Sequence, residues 1–268
     1  MPKRSKVKPS SRTGLRRSLF TIPPTDTPRV SVIIPVVNER RTLGAVIKQA
    51  AMVHPATEVI VVANGSTDGS AELAARMGAR VLRYPHPLGH DVGRSIGARV
   101  ARGEILLFTD GDIVIPTRDL AALTSAVSAG ADIALNKYLG PTSLMHVHGV
   151  VLAKHALGLM TGDQTNTGAS LTTIPHAMSR KARDLIGCEH LAVPPKAQAI
   201  AMLRGLEVRA AHYVEVGLRN RRRSRGKGAD PLERLIIGDH LEALSWYTEQ
   251  TDARGRFTDG GRNRESVC

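Results

Sequence analysis

The 268-residue chain is long enough for one α/β domain with an additional segment, and its hydrophobic content of 42% is sufficient for a core. Two cysteines, Cys188 and Cys268, exclude a disulfide framework and give no metal-binding spacing, which favours a reducing compartment such as the cytoplasm. The aromatic content of 3% argues against a protein that stacks the bases of single-stranded nucleic acid, so no nucleic-acid partner is expected.

Much of the formal charge of +13 lies in two segments of the sequence. The first lies in a Ser- and Pro-rich stretch with few apolar residues, so residues 1–28 are predicted to form a basic disordered arm. Such an arm can rest on an anionic membrane surface, which makes peripheral membrane contact an option. The second segment is residues 219–227. No apolar window resembles a signal peptide or a membrane span, so a cytoplasmic location is expected.

Strands and helices alternate from Arg29 onwards. The predicted strands cover residues 30–37, 58–63, 79–84 and 104–108, and the predicted helices cover residues 38–51, 70–77 and 91–102. The first two strands are almost continuously apolar and β-branched, which is typical of central strands buried on both faces. This alternation predicts βαβ units with right-handed crossovers, and therefore an α/β fold with a mostly parallel sheet.

Polar loops follow these strands and are expected to meet at one edge of the sheet, where open α/β sheets bind ligands. Asp110 and Asp112 follow the fourth strand and offer hard oxygen atoms that Mg²⁺ or Mn²⁺ can share with a diphosphate. A plain Asp-Gly turn is the alternative interpretation of this pair. A Rossmann dinucleotide site is disfavoured, because the turn after the first strand lacks the Gly-x-Gly-x-x-Gly pattern.

Three blocks of the sequence, residues 30–39, 59–69 and 97–112, resemble family 2 glycosyltransferases with the GT-A fold. The resemblance covers about residues 29–140 and implies a Rossmann-like, mostly parallel sheet flanked by helices. It suggests a GT-A domain over residues 29–217. Residues 218–268 would then form a basic loop, an amphipathic helix and a tail, as a helical extension on the acceptor side.

The resemblance implies transfer of a sugar from a nucleotide sugar, by default a UDP-sugar, to an unknown hydroxyl acceptor, with Mg²⁺ or Mn²⁺ as cofactor. A divalent ion held by carboxylates stabilises the charge of the departing diphosphate as a Lewis acid. The implied metal ligands are Asp110 and Asp112, with His212 as a candidate third ligand and a core histidine as its alternative role. The residues implied to hold the nucleotide are Pro35, Asn38, Glu39, Asn64, Ser66, Asp68, Arg94, Asp110 and Gly111.

The chain departs from the family pattern in two places. Ala63 and Asn64 stand where the second-strand motif has two aspartates, and the amide of Asn64 predicts altered nucleotide contacts rather than their loss. Val193 and Pro194 fall where the family has the Glu-Asp pair that supplies the acceptor base, and neither can take a proton. Glu189 and Asp163 are the candidate replacements, with Glu189 preferred because it lies four residues before the vacated position.

In the second half of the chain, the elements are predicted from hydrophobic periodicity and polar stretches alone. Strands are predicted over residues 131–138 and 206–216, a polar loop over 161–170, and helices over 144–160, 178–186 and 232–247. One alternative function is a retaining transferase similar to the glucosyl-3-phosphoglycerate synthases, whose anionic acceptor would suit the basic residues 219–227. Another is a non-catalytic protein that binds sugar nucleotides or nucleic acid.

Overall fold

The computed structural model describes residues 20–143, 145–163, 165–217 and 231–267. The strands are β1 (Val30–Val36), β2 (Thr57–Asn64), β3 (Arg80–Tyr84), β4 (Ile105–Phe108), β5 (Ile133–Asn136), β6 (His176–Ser179) and β7 (Val208–His212). The helices are α1 (Arg40–Ala51), α2 (Ser70–Arg76), α3 (Val92–Val100), α4 (Thr117–Ser128), α5 (Gly149–Met160), α6 (Arg180–Ile186), α7 (Pro194–Leu203) and α8 (Pro231–Gln250). A short 3₁₀ helix covers Cys188–Ala192.

The strands form one sheet in the order β3-β2-β1-β4-β6-β5-β7. β1 is parallel to β2 and β4, and β7 is parallel to β5, whereas β6 is antiparallel to both of its neighbours. All strands except β6 therefore end at the same edge of the sheet, which we call the carboxyl edge. The prediction of an α/β fold with a mostly parallel sheet is confirmed.

Alternate residues of β1 pack into two hydrophobic cores, one on each face of the sheet. Val32 and Ile34 contact the cluster that contains Leu43 of α1, and Ile33 contacts the cluster that contains Ala98 of α3. All five side chains are fully buried. The nearly continuous apolar sequence of β1 thus reflects helices covering both faces, as predicted.

α3 approaches β1 closely because glycine faces the strand. A Cβ atom at Gly97 would overlap Cγ2 of Ile33, and one at Gly93 would lie 3.0 Å from Cβ of Pro35. Only a residue without a side chain permits this approach. The first turn of α3, which carries Arg94, is thereby held beside the end of β1.

The prediction of one helix over residues 178–186 is wrong at its start. Met178 is fully buried in β6, between β4 and β5, and the helix begins only at Arg180. The side chain of Ser179 accepts a hydrogen bond from the backbone N of Ala182 at 3.0 Å, so Ser179 caps the helix. The strand ends where this cap begins.

Residues 20–28 pack against the domain, although they are predicted as part of the disordered arm. Ile22 is buried, its backbone N donates to the carbonyl of Met77 at 2.8 Å, and Phe20 packs against the same core. These apolar side chains dock the segment, which corrects the arm's predicted limit. Residues 1–19 and 219–227 lie outside the described residues. Within the described ranges, no helix is both long and apolar enough to cross a membrane.

Candidate active site

The loops that follow β1 and β2 are joined by hydrogen bonds at the carboxyl edge. Asn38 adopts a left-handed backbone conformation with a φ of 56°. Its Oδ1 accepts from the backbone N of Thr67 at 2.8 Å, and its backbone N donates to Oγ of Ser66 at 3.2 Å. Oγ of Ser66 in turn donates to the carbonyl of Val36 at 3.0 Å. Two of the predicted nucleotide-binding residues, Asn38 and Ser66, are therefore brought together.

Asp68 connects the starts of α1 and α2. Its Oδ2 accepts from the backbone N of Arg40 at 2.9 Å, and its Oδ1 accepts from the backbone N of Ser70 at 2.9 Å. Oγ of Ser70 accepts from the backbone N of Glu39 at 3.0 Å. Burial raises the pKa of Asp68, but the hydrogen bonds from Ser70 and Arg40 outweigh that effect and lower its pKa. Asp68 is therefore a charged residue that fixes the shape of both loops.

Asn64 is buried and fixes a third loop beside these two. Its Oδ1 accepts from the backbone N of Leu88, and its Nδ2 donates to the carbonyl of Gly89 at 3.2 Å. The amide that replaces the family's aspartate thus binds the loop between β3 and α3. Its predicted contact with the nucleotide would have to use the remaining amide hydrogen or the second lone pair of Oδ1.

Arg94 is a buried cation between two carboxylates. Its side chain is 5% exposed, with Nη1 at 3.0 Å from Oδ1 of Asp91 and Nη2 at 3.4 Å from Oδ1 of Asp110. Burial lowers the pKa of the guanidinium, but Asp91 and Asp110 more than offset this and raise the pKa above its ordinary value. Arg94 therefore remains charged directly beside the predicted metal-binding residue.

Asp91 belongs to this site and is absent from the sequence prediction. It precedes α3 with a φ of 61°, and its side chain is 3% exposed. Burial raises its pKa, against the opposing influence of Arg94 and of His90, whose Nε2 lies 3.3 Å from Oδ2. A carboxylate three residues before an arginine at a helix start is the sequence signal that identifies such a pair.

The turn that carries Asp110 and Asp112 is held against the end of β1. The buried Gly111 accepts a hydrogen bond on its carbonyl from Oγ1 of Thr42 at 2.8 Å, and a Cβ at Gly111 would lie 3.0 Å from Cγ2 of Val36. Both aspartates are only partly buried, and the side chain of Asp110 is 36% exposed. The turn therefore presents two carboxylates at the carboxyl edge, next to Arg94.

This pair fits a divalent ion of the predicted kind. Mg²⁺ is usually held by one or two carboxylates, with substrate phosphates and water in the remaining positions. No group of three or more His, Cys, Asp or Glu residues in the described part of the chain is arranged to hold an ion. Asp110 and Asp112 would therefore hold the metal together with the diphosphate.

His212 is paired with a carboxylate of α4. Its Nε2 lies 3.1 Å from Oδ1 of Asp119, at the end of β7. β7 is three strand positions from β4, which is about 14 Å at the usual strand spacing. The imidazole therefore contacts an α4 carboxylate, and the role of His212 as a third metal ligand stays a prediction.

The two candidate bases lie in different surroundings. Asp163 is buried, and its Oδ1 accepts from the backbone N and from Nδ2 of Asn166, each at 2.9 Å. Asn166 also donates to the carbonyl of Val208 in β7, which places this loop along the edge strand. The side chain of Glu189 is 64% exposed, with Oε1 at 3.8 Å from Nε2 of His190. Asp163 thus supports a loop, and Glu189 faces solvent.

The position vacated by the family's base faces a small apolar cavity behind Arg94. The cavity has a volume of about 10 Å³ and is lined by Arg94, Phe108, Leu171, His176, Leu191 and Pro194. The ring of His176 stacks on Phe108 with centroids 4.9 Å apart, and burial together with Arg94 lowers its pKa to about 3. The imidazole is therefore neutral, and Pro194 puts an apolar ring where the resemblance implies a carboxylate.

Lys154 of α5 is a second buried cation, and the sequence analysis does not identify it. It is 5% exposed, and its Nζ donates to Oγ1 of Thr173 at 3.0 Å and to the carbonyl of Tyr138 at 3.4 Å. Burial lowers the pKa of the amine to about 8. Lys154 thereby connects the segments that follow β5 and precede β6.

Known proteins resemble the first half of the chain in sequence. Residues 31–140 match the model of glycosyl transferase family 2. An uncharacterized glycosyltransferase of Mycobacterium tuberculosis is 35% identical over 104 residues, which are 39% of this chain and 46% of that protein. The polyprenol monophosphomannose synthase of Mycolicibacterium smegmatis is 29% identical over 130 residues, which are 45% of this chain and 48% of that protein. The chain thus spans about half the length of these curated relatives.

The fold is also found among solved structures. The crystal structure of glucosyl-3-phosphoglycerate synthase from Mycobacterium tuberculosis, in complex with Mn²⁺, UDP and phosphoglyceric acid, superposes with a TM-score of 0.59 at 20% identity. The superposition covers 81% of this chain and 78% of that one. The predicted GT-A fold is confirmed by this likeness, and residues 31–140 are similar to glycosyl transferase family 2.

Proposed function

We propose that this protein is an enzyme that transfers a sugar from a nucleotide sugar, with a UDP-sugar as the donor and Mg²⁺ or Mn²⁺ as the cofactor. The observation that carries this proposal is the buried, charged Arg94 beside the partly exposed Asp110 and Asp112 at the carboxyl edge. A cation next to a carboxylate pair is suited to a diphosphate that arrives with a divalent ion.

The residues of the chain would act on the donor in two places. Asn38 and Ser66 lie in the joined loops, where the base and ribose are expected, and Pro35, Glu39, Asn64 and Asp68 support these loops. Arg94 would orient Asp110 and stabilise the negative charge of the leaving diphosphate. When bound, the ion supplies Lewis-acid stabilisation of the same leaving group.

The acceptor side favours the retaining course over the inverting one. An inverting transfer to a hydroxyl requires a base within hydrogen-bond reach, and Pro194 occupies the wall where that base is expected. The glucosyl-3-phosphoglycerate synthase that shares this fold forms complexes with UDP-glucose and phosphoglyceric acid, and an anionic acceptor of this kind is the one expected for the retaining alternative. Residues 219–227, outside the described ranges, carry the charge that would suit such an acceptor.

Substitution of the candidate bases distinguishes the two courses. For inversion, Glu189→Gln lowers turnover by about 10²–10⁴-fold and leaves metal-dependent nucleotide binding intact, while Asp163→Asn has a smaller effect. For retention, which is the course we favour, Glu189→Gln and Asp163→Asn should turn over like the wild type, provided that they fold like it. If Glu189→Gln alone loses turnover, the enzyme is an inverting transferase and the retaining course is wrong.

A panel of nucleotide sugars, screened by thermal shift with and without Mn²⁺, tests the donor directly because a ligand stabilises the state that binds it. We expect a UDP-sugar to raise Tm only with metal, and Asp110→Asn and Asp112→Asn to lose that shift while keeping the fold. Asp184→Asn is the matched control, since its carboxylate is exposed in α6, which begins at the opposite edge. If no donor stabilises the wild-type protein with metal, the proposed transferase activity is incorrect.

A further inference from the structure

The loop between β3 and α3 is held by residues of the candidate active site. Nδ2 of Asn64, a predicted nucleotide-binding residue, donates to the carbonyl of Gly89 at 3.2 Å. His90 follows directly, and the side chain of Asp91 after it lies 3.0 Å from that of Arg94. The backbone of His90 is therefore fixed between a predicted nucleotide contact and the arginine beside the proposed metal-binding pair.

Asp91 forms a tight turn in a backbone conformation that is uncommon outside glycine. Its φ is 61°, and the backbone N of Val92 donates across it to the carbonyl of His90 at 2.8 Å. Residues other than glycine that adopt this conformation cluster at functional sites. The turn brings the side chains of His90 and Asp91 together, whereas neighbours in an extended strand point to opposite sides.

The two side chains form an ion pair of which only the imidazole can be reached from outside. Nε2 of His90 lies 3.3 Å from Oδ2 of Asp91, and the side chains are 33% and 3% exposed. Oδ2 is buried and accepts no well-aligned hydrogen bond from the described residues. A buried carboxylate attracts a proton donor strongly, so the proton of the imidazole belongs on Nε2. Nδ1 is then the nitrogen that a ligand can use.

This pair continues a row of charged groups that ends at the predicted metal site. Oδ1 of Asp91 lies 3.0 Å from Nη1 of Arg94, and Nη2 of the same guanidinium lies 3.4 Å from Oδ1 of Asp110. Two carboxylates thus share one guanidinium, and Arg94 alone leaves the row negative. Because a diphosphate is negative as well, a second cationic group in the row favours its binding.

Helix α8 brings a further carboxylate towards the same imidazole. Burial and the charge of Asp91 raise the pKa of the half-buried Asp239, and the charge of His90 opposes them. His90 is thus near carboxylates on its own loop and on α8. A purely structural role, in which the imidazole connects α8 to the loop, is therefore the alternative to a role in binding.

We propose that His90 is a further nucleotide-binding residue, which donates a hydrogen bond from Nδ1 to a phosphate oxygen of the nucleotide sugar. Asp91 fixes the ring and holds one proton on Nε2, and the phosphates supply the negative charge that holds the second proton on Nδ1. A ribose hydroxyl is the other ligand for this nitrogen, and it would be the donor to a neutral ring. The inference rests on the proposed function, because it requires a bound nucleotide diphosphate.

Isothermal titration calorimetry of the full chain with UDP and Mg²⁺ measures the affinity. We expect His90→Gln to weaken UDP binding at least about tenfold, because a hydrogen bond between two charged groups is lost. His86→Gln is the matched control, since His86 is an exposed histidine of the same loop, and it should bind UDP like the wild type. Circular dichroism should show the same fold for both variants, because the substituted side chains reach the surface.

³¹P NMR of UDP bound with Mg²⁺ reports on the phosphates themselves. At least one phosphorus signal of bound UDP should differ between the wild type and His90→Gln, and neither signal should differ in His86→Gln. Weaker binding by His90→Gln with unchanged phosphorus signals would assign the imidazole to a ribose hydroxyl and overturn the phosphate contact.

The remaining outcomes separate this inference from the proposed function. If wild type and His90→Gln bind UDP equally, His90 does not bind the nucleotide, and the proposed function is unaffected. A lower free energy of unfolding for His90→Gln in urea would then assign the imidazole to the contact with α8. If the wild type does not bind UDP with Mg²⁺, the proposed function is contradicted, and this inference with it.

Discussion

Lys154 gives the sharpest prediction about stability, because its amine is buried. Its pKa of about 8, against an ordinary value of 10.5, means that keeping it charged in the folded protein costs about 3 kcal/mol near neutral pH. Below pH 8 the amine is protonated in both states, and the full cost is present. Between pH 8 and 10.5 the unfolded chain binds more protons, so the free energy of unfolding rises with pH.

The perturbation is Lys154→Met, which keeps the length of the stem and removes the charge. Urea unfolding of the wild-type protein should show a gain of about 2 kcal/mol from neutral pH to about pH 9.5, and the variant should lack that gain. The raised pKa values of Cys188 and Tyr138 affect both proteins alike, so the difference between them isolates Lys154. At neutral pH, Lys154→Met removes the cost of the buried charge, which raises the free energy of unfolding. It also removes two hydrogen bonds, which lowers that free energy by about 1 kcal/mol each. Parallel pH profiles for the two proteins would refute the reasoning.

Three further substitutions test the packing and the site. Gly97→Val should lower the free energy of unfolding by about 3 kcal/mol in urea, because the added side chain overlaps Ile33; an unchanged midpoint would contradict the close packing of α3. Asp91→Asn removes one of the two carboxylates beside the buried Arg94 and should lower stability by about 3 kcal/mol, measured in the same way. His212→Ala should leave the Mn²⁺-dependent thermal shift with a UDP-sugar intact, because Nε2 of His212 contacts Asp119; loss of that shift would support His212 as a metal ligand.

The first half of the fold was predictable because apolar strand sequences and the polar loops that follow them indicate the same elements. β1 and β2 are buried on both faces, so their sequences are almost continuously apolar and end in polar loops. Asp110 and Arg94 could be placed at one edge because parallel strands end there. Their mutual contact could not be predicted, since it depends on how closely α3 approaches β1. The three-residue spacing of Asp91 and Arg94 is present in the sequence, but the burial that pairs them depends on the same packing.

The second half was less predictable because its elements are short and defined by their neighbours. β6 has four residues, and its Met178 reads equally well as the start of the following helix. α7 begins with two prolines, which are compatible with a first helical turn but also with a loop, and the sequence analysis assigned no helix there. The sequence of α5 is that of an apolar helix, and it does not show that Lys154 lies on the buried side. That orientation is decided by the contacts of Lys154 with Thr173 and Tyr138.

We propose that Asp110 and Asp112 hold a divalent ion together with a nucleotide diphosphate. Electron paramagnetic resonance measures it most directly, because the signal of free Mn²⁺ is lost when the ion binds. For the wild-type protein, adding UDP should reduce the free Mn²⁺ signal well beyond the reduction caused by UDP alone, and Asp184→Asn should behave in the same way. Asp110→Asn and Asp112→Asn should abolish this additional reduction. An equal reduction in all four proteins, or none in the wild type, would contradict the account.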